Sequence, residues 1–402
     1  MKQRLVIVGA GFAGMYAALS ASRLREQTNG PARDLEIVLV SQKPELVIRP
    51  RLYEPNPERM TAPLGDVLDA IEATYVQGEV EGVDTDTKSI EIREAAGVRR
   101  SLTYDRLVIT TGSRLFRPPI PGLQEHGFSV DQLEDAIELD RHLKSLSSRA
   151  ATSGRDTVVV AGGGFTGIEV ATEMPARLRR VLGNGSGRVV LVERNPAVVP
   201  DMGPGPRPIV EDALRTLGIE TRLGVGVTAL DRGGVTLSDG ERIDSDTVIW
   251  AAGIRAAPLT AKLPAERDNF GRLLVDRELR VPGLEGIFAA GDAAKASCDD
   301  IGNHALMSCQ HATRLGAFAG NNAAADLLGL PLHPYHQEAY VVCLDLGEAG
   351  AVFTRGWDRQ VKLVGAEAKA YKTEINTLWI YPPPAERGAA LASADPEQVT
   401  RL

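Results

Sequence analysis

Long apolar runs, cysteines, aromatic residues and positive charge are all scarce in this chain of 402 residues. No apolar run reaches the roughly 18 residues that a membrane-spanning helix requires, so the sequence predicts no such helix. The chain has three cysteines, which cannot form a disulfide framework and indicate a reducing compartment. The formal net charge of −8 argues against nucleic acid or an anionic membrane as the main partner, because both require clustered positive charge.

The remaining composition is that of an ordinary globular protein. An apolar content of 43% is enough to build the cores of two or three domains at this length. The densest basic cluster, Arg177, Arg179 and Arg180, is interpreted as the solvated end of a helix. The sequence begins with an apolar strand and predicts no cleavable targeting segment, so we expect a cytoplasmic protein. We also expect no metal site.

The first glycine-rich turn organises the N-terminal part of the chain. Arg4–Val8 reads as a buried strand, and residues 15–24 have the period of a helix. Between them, Gly9 permits a tight turn, Gly11 permits close approach of a pyrophosphate, and Gly14 permits the helix to pack on the strand. The phosphates are expected at the helix N-terminus, where free N–H groups and the helix dipole favour an anion.

A second strand, residues 35–40, completes a βαβ unit and makes dinucleotide binding the favoured interpretation. The acidic residue that usually follows this strand and binds the ribose hydroxyls is replaced by Ser41. We therefore expect Ser41, a neighbouring side chain or the backbone to contact the ribose.

The same pattern recurs about 150 residues later. The strand at residues 158–160 is followed by a turn containing Gly162, Gly164 and Gly167 and by a helix at 168–178. The next strand ends in Glu193, which can accept both ribose hydroxyls and favours NADH over NADPH. Because Arg194 could tolerate a 2′-phosphate, NADPH remains an alternative.

Similar segments of small residues occur after buried strands in both predicted nucleotide-binding units. Thr110-Thr111-Gly112-Ser113 and Ala252-Gly253 follow buried strands, and Gly291-Asp292 follows a third. A chain with two dinucleotide sites usually passes electrons between them, and the third segment indicates a return to the first domain. The predicted domains are 1–118 and 266–330 for the first nucleotide, 119–265 inserted between them, and 331–402 at the C-terminus.

These motifs resemble those of the two-dinucleotide-binding flavoprotein superfamily, and most of all those of type II NADH dehydrogenases. The resemblance implies an α/β fold with two Rossmann-like domains of the glutathione-reductase type, the NADH domain inserted in the FAD domain, and a small C-terminal α+β domain. It assigns FAD to Gly9, Gly11, Gly14, Thr111, Gly112, Gly291 and Asp292, with the Asp292 carboxylate on the ribityl hydroxyls. It assigns NADH to Gly162, Gly164, Gly167, Glu193 and Gly253.

The resemblance also implies residues that act near the flavin. Glu169 matches a glutamate implicated in proton movement, although a glutamate satisfied within the start of the helix is an equal alternative. Gln310, Ala312 and Gly316 match the quinone-site motif A-Q-x-A-x-Q-x-G, whereas Cys309 and Arg314 depart from it. The start of this helix, predicted at 306–325, is expected to face the flavin, with Gln310 in contact with the cofactor or quinone.

The C-terminal segment departs from the bulky membrane-binding helices of that family. Residues 340–347 and 350–353 predict a hairpin, and an apolar stripe follows at helical spacing, formed by Val364, Ala368, Tyr371, Ile375 and Trp379. The stripe is either a membrane face at the inner side of the membrane or a surface buried on the flavin domain or on a partner in a homodimer. Lys362, Lys369 and Lys372 are its only flanking cations, which favours burial.

Thiol chemistry is a further hypothesis. Cys343 resembles one redox cysteine of sulfide:quinone oxidoreductases, and Cys309 could partner it, but Phe165 stands where that family's other cysteine is expected. Free cysteines are also commonly buried as small apolar residues. The C-x4-C pair of flavin disulfide reductases is missing from residues 47–57.

The resulting expectation is an enzyme in which NADH reduces FAD and the electrons pass to a quinone or a similar small acceptor. Three alternatives stay open: a sulfide:quinone oxidoreductase, a reductase of an iron–sulfur carrier protein, and an NADH-responsive binding protein similar to apoptosis-inducing flavoproteins.

Overall fold

A computed structural model describes residues 3–28, 34–183, 187–337 and 340–398 of the chain. Residues 1–2 and 399–402, which the first and last predicted domains include, lie outside the described residues.

The described residues up to Leu115 form two α-helices and ten strands. The helices are α1 (Phe12–Gln27) and α2 (Gly65–Ala70). The strands are β1 (Gln3–Val8), β2 (Leu35–Ser41), β3 (Glu45–Val47), β4 (Thr61–Pro63), β5 (Thr74–Gln77), β6 (Glu79–Asp84), β7 (Ser89–Arg93), β8 (Arg99–Thr103), β9 (Arg106–Ile109) and β10 (Ser113–Leu115).

The described residues from Leu123 to Ala256 form four α-helices and nine strands. The helices are α3 (Leu123–His126), α4 (Leu133–Ser145), α5 (Phe165–Leu182) and α6 (Arg207–Thr216). The strands are β11 (Gly127–Phe128), β12 (Thr157–Ala161), β13 (Arg188–Glu193), β14 (Glu220–Leu223), β15 (Val227–Asp231), β16 (Gly234–Leu237), β17 (Arg242–Asp244), β18 (Thr247–Trp250) and β19 (Ile254–Ala256).

The last third contains six short strands and three helices. The strands are β20 (Leu273–Leu274), β21 (Ile287–Ala289), β22 (Ala294–Lys295), β23 (Val341–Asp345), β24 (Ala351–Arg355) and β25 (Gln360–Val364). The helices are α7 (Cys309–Leu328), α8 (Gly365–Glu374), which continues into a π-helical turn at Ile375–Trp379, and α9 (Arg387–Ala392).

Two five-stranded parallel sheets form the framework. The first has the order β21-β9-β1-β2-β5 and the second the order β11-β18-β12-β13-β14. Their central strands are Val-, Ile- and Leu-rich and buried, as expected for parallel strands covered on both faces. Because β21 returns to the first sheet after the whole second sheet, the second unit is inserted into the first.

Helices α1 and α7 pack directly against each other through small residues. A Cβ atom placed on Gly316 would lie 2.2 Å from the carbonyl oxygen of Ala13, and one on Gly320 would lie 2.1 Å from that of Ala17. The two backbones can approach this closely only because glycine has no side chain. This contact fixes the start of α7 beside the first glycine turn.

The C-terminal part is built on the three-stranded antiparallel sheet β23-β24-β25. The hairpin was predicted, but β25 was not, and Val364 belongs to this strand rather than to the helix. Ala368, Tyr371 and Ile375 pack against the same sheet. Ala368 is thus buried on this sheet, whereas Val364 is exposed and Tyr371, Ile375 and Trp379 are half-buried. Burial of the remaining stripe on the flavin domain or on a dimer partner stays a prediction.

Two other local expectations were wrong. The strand expected at residues 74–81 is split at Gly78, whose φ of +157° ends β5 and lets β6 join another sheet. Arg177 is not solvated: it is buried, ion-paired with Asp140 at 2.5 Å, and donates to the carbonyl of Tyr53 at 3.1 Å. Over the described ranges, none of the helices is both long and apolar enough to cross a membrane.

Candidate active site

The first glycine turn connects β1 to α1. Gly9 has a φ of +110°, and a Cβ atom on it would lie 2.5 Å from the carbonyl oxygen of Thr110. A Cβ atom on Gly14 would lie 1.7 Å from the carbonyl oxygen of Gly9. Both positions therefore require glycine for reasons of backbone conformation and packing.

The second glycine turn repeats this geometry between β12 and α5. Gly162 has a φ of +119°, and a Cβ atom on Gly167 would lie 1.8 Å from the carbonyl oxygen of Gly162. The structure thus confirms that the sequence repeat is also a geometric repeat.

The middle glycine of each turn leaves open space. A Cβ atom on Gly11 or on Gly164 would meet no atom within 4 Å. These two residues also precede the first turns of α1 and α5, and neither helix has a side-chain cap on its N-terminal N–H groups. Open space in front of free N–H groups fits the phosphates of a dinucleotide at both turns.

The segments that leave the two sheets pair with each other. Gly112 and Gly253 have φ values of +69° and +78°, and the strands that follow them, β10 and β19, pair antiparallel through Ser113 and Ala256 to Leu115 and Ile254. This pairing joins the carboxyl ends of the two parallel sheets, where ligands of α/β folds bind.

Asp292 lies in a charged cluster at the end of β21. Its carboxylate accepts a hydrogen bond from the Ser113 hydroxyl at 2.6 Å and lies 3.6 Å from the Arg49 guanidinium. Arg49 is also ion-paired with Asp131 at 2.6 Å. Burial raises the pKa of the Asp292 carboxyl, and Arg49 and Ser113 oppose this shift. The cluster holds Asp292 in a fixed orientation beside Gly291.

Two buried side-chain oxygens at the first site have no partner among the described residues. They are Oγ1 of Thr111 and Oε1 of Gln310, on the loop after β9 and in the first turn of α7. Buried polar atoms are normally hydrogen-bonded, so a ligand that reaches both is consistent with the assignment of FAD to this site. Ser41, by contrast, donates its hydroxyl to the carbonyl of Lys43 at 2.6 Å.

Glu193 closes the second turn. One carboxylate oxygen accepts the backbone N–H of Gly163 at 2.6 Å, and the other accepts the backbone and side-chain N–H groups of Asn195 at 2.8 and 2.6 Å. The acidic residue predicted to contact the ribose of NADH therefore lies directly against the glycine turn.

Glu169, in α5, forms a buried ion pair that the sequence did not reveal. Its Oε1 accepts from Lys372 Nζ at 2.7 Å and from the backbone N–H of Asp345 at 3.1 Å. Only 3% of Glu169 and 5% of Lys372 are exposed. Lys372 was expected to flank a surface stripe; instead, it lies under α5, donates to the carbonyl of Cys343 at 3.0 Å, and has its Nζ 5.6 Å from the ring centre of Phe165.

Burial dominates the electrostatics of this pair. It raises the pKa of Glu169 to about 7, with Lys372 opposing and Asp345 adding to the shift. Burial also acts to lower the pKa of Lys372, but Glu169 outweighs it and the pKa of the ammonium lies above its usual value. Glu169 can therefore take up and release a proton near neutral pH while Lys372 stays charged.

The two cysteines considered for redox chemistry are poor nucleophiles. Burial raises the pKa of Cys309 to about 11 and that of Cys343 to about 12. The Cys343 thiol donates to the carbonyl of Ala368 at 3.7 Å. Since the thiolate is the reactive form, thiol chemistry at neutral pH is not favoured at either position.

Sequence reasoning missed Lys372, Arg49 and Asp131. All three are charged residues whose partners lie far away in the chain, so no local motif identifies them. The only available signal for Lys372 was its place within an otherwise apolar helical stripe.

Comparison with known proteins agrees with this geometry. The family model for pyridine nucleotide-disulphide oxidoreductases matches residues 3–316. An NADH dehydrogenase-like protein of Mycobacterium tuberculosis is 46% identical over 397 residues, which cover 98% of each chain. The demethylphylloquinone reductase NdbB of Synechocystis is 31% identical over 88% of this chain and 87% of its own.

Among solved structures, NDH2 of Plasmodium falciparum in complex with NADH superposes with a TM-score of 0.80. The match covers 98% of this chain and 97% of NDH2, at 15% sequence identity. The predicted fold class, with two dinucleotide-binding units of which one is inserted in the other, is confirmed.

Proposed function

The chain belongs to the pyridine nucleotide-disulphide oxidoreductase family, and from this premise we propose that it is a FAD-dependent NADH dehydrogenase that passes two electrons to a quinone or a similar small acceptor. The family membership supports the predicted cofactors, FAD and NADH.

One observation carries the proposal. Two glycine turns of the same geometry present open, uncapped helix N-termini, and the antiparallel pair β10–β19 joins the sheets that bear them. One turn alone would describe a nucleotide-binding protein. Two turns connected in this way support electron transfer between two dinucleotides.

The first site would hold FAD. The N–H groups at the start of α1 would bind its pyrophosphate, and Asp292, oriented by Ser113, would accept its ribityl hydroxyls. Thr111 and Gln310 supply polar atoms that have no partner among the described residues.

The second site would hold NADH. The N–H groups at the start of α5 would bind the pyrophosphate, and the carboxylate of Glu193 would accept hydrogen bonds from the ribose hydroxyls. Gly253, in the segment after β18, would be a further contact of the dinucleotide. A 2′-phosphate would meet the Glu193 carboxylate, which supports NADH over NADPH.

The bound cofactors supply the redox chemistry, a hydride transfer from nicotinamide to flavin followed by two-electron reduction of the acceptor. The chain itself handles a proton, because a quinone that takes two electrons also takes two protons. Glu169 is suited to this task, since its pKa of about 7 lets it bind or release a proton at neutral pH, and Lys372 holds its carboxylate in place.

The acceptor is proposed to be a quinone rather than a disulfide. The relative from Synechocystis is named a demethylphylloquinone reductase, and Gln310 lies at the matching position of the quinone motif. This chain has no cysteine pair in residues 47–57, and the high pKa values of Cys309 and Cys343 disfavour thiol chemistry.

The test is a two-stage stopped-flow experiment on the purified protein. The flavin absorbance is first followed under anaerobic mixing with NADH, NADPH or sulfide. The reduced protein is then mixed with menadione, a ubiquinone analogue, ferredoxin or oxygen. We expect rapid bleaching with NADH and rapid reoxidation by a quinone.

Different results in this experiment would indicate one of the alternative functions. Bleaching by sulfide alone would indicate a sulfide:quinone oxidoreductase, and reoxidation by ferredoxin alone would indicate a carrier-protein reductase. A long-lived reduced complex that no acceptor reoxidises would indicate the NADH-responsive binding protein. A protein that purifies without colour and binds no FAD would refute the proposal.

A further inference from the structure

Arg359, in the turn between β24 and β25, is a buried cation without a counter-ion among the residues that the structure describes. Only 9% of its surface is exposed, and its Nε and Nη1 atoms are shielded from solvent with no hydrogen-bond partner among the described residues. The neighbouring carboxylate of Asp358 is exposed and accepts from the side-chain amide of Gln360 at 2.8 Å. A buried guanidinium without an anion is energetically unfavourable. An anionic hydrogen-bond acceptor from outside the described residues would stabilise it.

The guanidinium lies against one ring of a cluster of three aromatic side chains. The Arg359 Cζ atom lies 4.1 Å from the ring centre of Tyr340, and the Trp357 ring stacks on Tyr340 with a centre-to-centre distance of 4.8 Å. The His311 ring lies 5.0 Å from Tyr340 and 5.9 Å from Trp357. These contacts hold the cluster rigidly in place.

Two more polar atoms in the cluster lack partners. The indole Nε1 of Trp357 and the ring Nε2 of His311 are both buried and unpaired within the described ranges. The other ring nitrogen of His311 lies 2.9 Å from the Ser308 hydroxyl. When that hydroxyl donates to Nδ1, the imidazole carries its proton on Nε2, so Arg359, Trp357 and His311 all present N–H donors.

The cluster lies where three parts of the molecule meet. His311 is in the first turn of α7, one residue after Gln310. The carbonyl oxygen of Arg359 lies 3.4 Å from the position of a Cβ atom on Gly205, in the loop that precedes α6. The cluster thus lies between the C-terminal hairpin and the start of α7, with the loop before α6 beside its backbone.

We propose that Arg359, Trp357 and His311 form a binding site for an oxyanion, a carboxylate or phosphate carried by a small molecule. A guanidinium and an indole N–H are suited to an acceptor-only group, and a single negative charge compensates the buried cation. Two sources fit this chemistry: an acidic group on the electron acceptor, and a phosphate group other than the pyrophosphates assigned to the two glycine turns. The site is independent of whether the chain oxidises NADH.

The test is a binding measurement by isothermal titration calorimetry on the full-length protein as purified. The probes are 2-naphthoate, its neutral analogue 2-naphthylmethanol, inorganic phosphate and ADP-ribose. Arg359→Gln is compared with Arg355→Gln, a matched control, because Arg355 is exposed on the same hairpin. We expect the wild type and Arg355→Gln to bind an anionic probe with equal affinity, and Arg359→Gln to bind it at least tenfold more weakly.

The choice of probe identifies the source of the anion. Binding of 2-naphthoate but not of 2-naphthylmethanol, lost in Arg359→Gln, indicates an acidic acceptor. Weakened binding of inorganic phosphate in the same variant, with unchanged binding of ADP-ribose, indicates a phosphate. If Arg359→Gln does not fold, Trp357→Phe is used instead, since it keeps an aromatic ring and removes the N–H group. This variant is expected to bind the anionic probe several-fold more weakly than the wild type. Equal affinities in Arg359→Gln and Arg355→Gln, or no binding of any anionic probe to the wild type, would overturn the proposal. Whether the protein oxidises NADH does not affect either result.

Discussion

Glu169 and Lys372 are 203 residues apart in the chain, yet their side chains meet at 2.7 Å in the interior. The pair connects α5, which begins at the second glycine turn, to α8 of the C-terminal domain. The position of α8 is therefore coupled to the nucleotide-binding unit through one buried charge interaction.

Removing one partner of this pair is expected to destabilise the protein strongly. Lys372→Met removes a charge-assisted hydrogen bond from Glu169, whose carboxyl then takes up a proton instead of staying an unpaired anion, and we expect this to cost about 1.5–3 kcal/mol of unfolding free energy. The double variant Glu169→Gln/Lys372→Met should recover most of this loss, because no buried charge remains. Urea unfolding followed by circular dichroism measures both, and Lys362→Met at an exposed position is the control. Additive losses in the double variant would contradict the interpretation.

The raised pKa of Glu169 also predicts a pH dependence of stability. The carboxyl has an ordinary pKa of 4.5 and a pKa of about 7 in the folded protein. Across this interval the folded state holds a proton that the unfolded chain has released, so the unfolding free energy falls as the pH rises. The shift corresponds to about 3 kcal/mol at most. The unfolding free energy, measured from pH 4.5 to 7, should fall less with rising pH in Glu169→Gln than in the wild type. An equal pH dependence in the two proteins would show that Glu169 does not titrate in this interval.

The open glycines offer a test that separates binding from folding. A Cβ atom on Gly11 or Gly164 would meet no protein atom within 4 Å, so Gly11→Val and Gly164→Val should keep the wild-type melting temperature to within a few degrees. Gly11→Val is expected to purify without FAD, and Gly164→Val with FAD but with at least tenfold weaker NADH binding. Gly14→Ala, which would place Cβ 1.7 Å from a carbonyl oxygen, should fail to fold stably. Retention of both cofactors by the valine variants would refute the assignment of the turns.

Glu193 is expected to decide between the two nicotinamide cofactors. Glu193→Gln removes the negative charge beside the Gly163 N–H group while keeping an oxygen that can accept it. The ratio of kcat/KM for NADH to that for NADPH should fall at least about tenfold, a change of about 1.4 kcal/mol in relative transition-state binding. Asp212→Asn, which alters an exposed carboxylate on α6, is the control and should leave the ratio unchanged.

The cysteines are expected to react slowly. Burial raises the pKa of Cys298 and of Cys309 to about 11 and that of Cys343 to about 12, which leaves about a hundredth or less of the thiolate of an ordinary cysteine at neutral pH. Reaction with a chromogenic disulfide reagent at pH 7 should therefore be at least about a hundredfold slower in the folded protein than in urea. A fast-reacting thiol in the folded protein would revive the redox hypothesis.

The glycine turns could be predicted from the sequence because their signal is local. A strand, a spaced set of glycines and a helix must follow one another within a short segment, and the structure keeps this order at Gly9 and Gly162. The insertion of one unit in the other was also predictable, because the small-residue segments that end the strands recur at Gly112, Gly253 and Gly291.

The charged partners could not be predicted in the same way. Arg49, Asp131 and Lys372 belong to the site only because the chain folds back over long distances, and no pattern in their own segments distinguishes them from surface residues. The start of the C-terminal helix was also predicted wrongly. Val364 is the last residue of strand β25, where apolar and polar residues alternate, and the helical spacing of apolar residues begins only after it.

The close contact of α1 and α7 through Gly316 and Gly320 has a consequence for where substitutions can be tolerated. Because the two backbones touch, a side chain at either glycine would push α7 away from α1 and displace the first glycine turn with it. Residues 356–359 lie in the turn between β24 and β25, which does not take part in this contact. Substitutions there are therefore expected to leave the packing of α7 beside the first glycine turn unchanged.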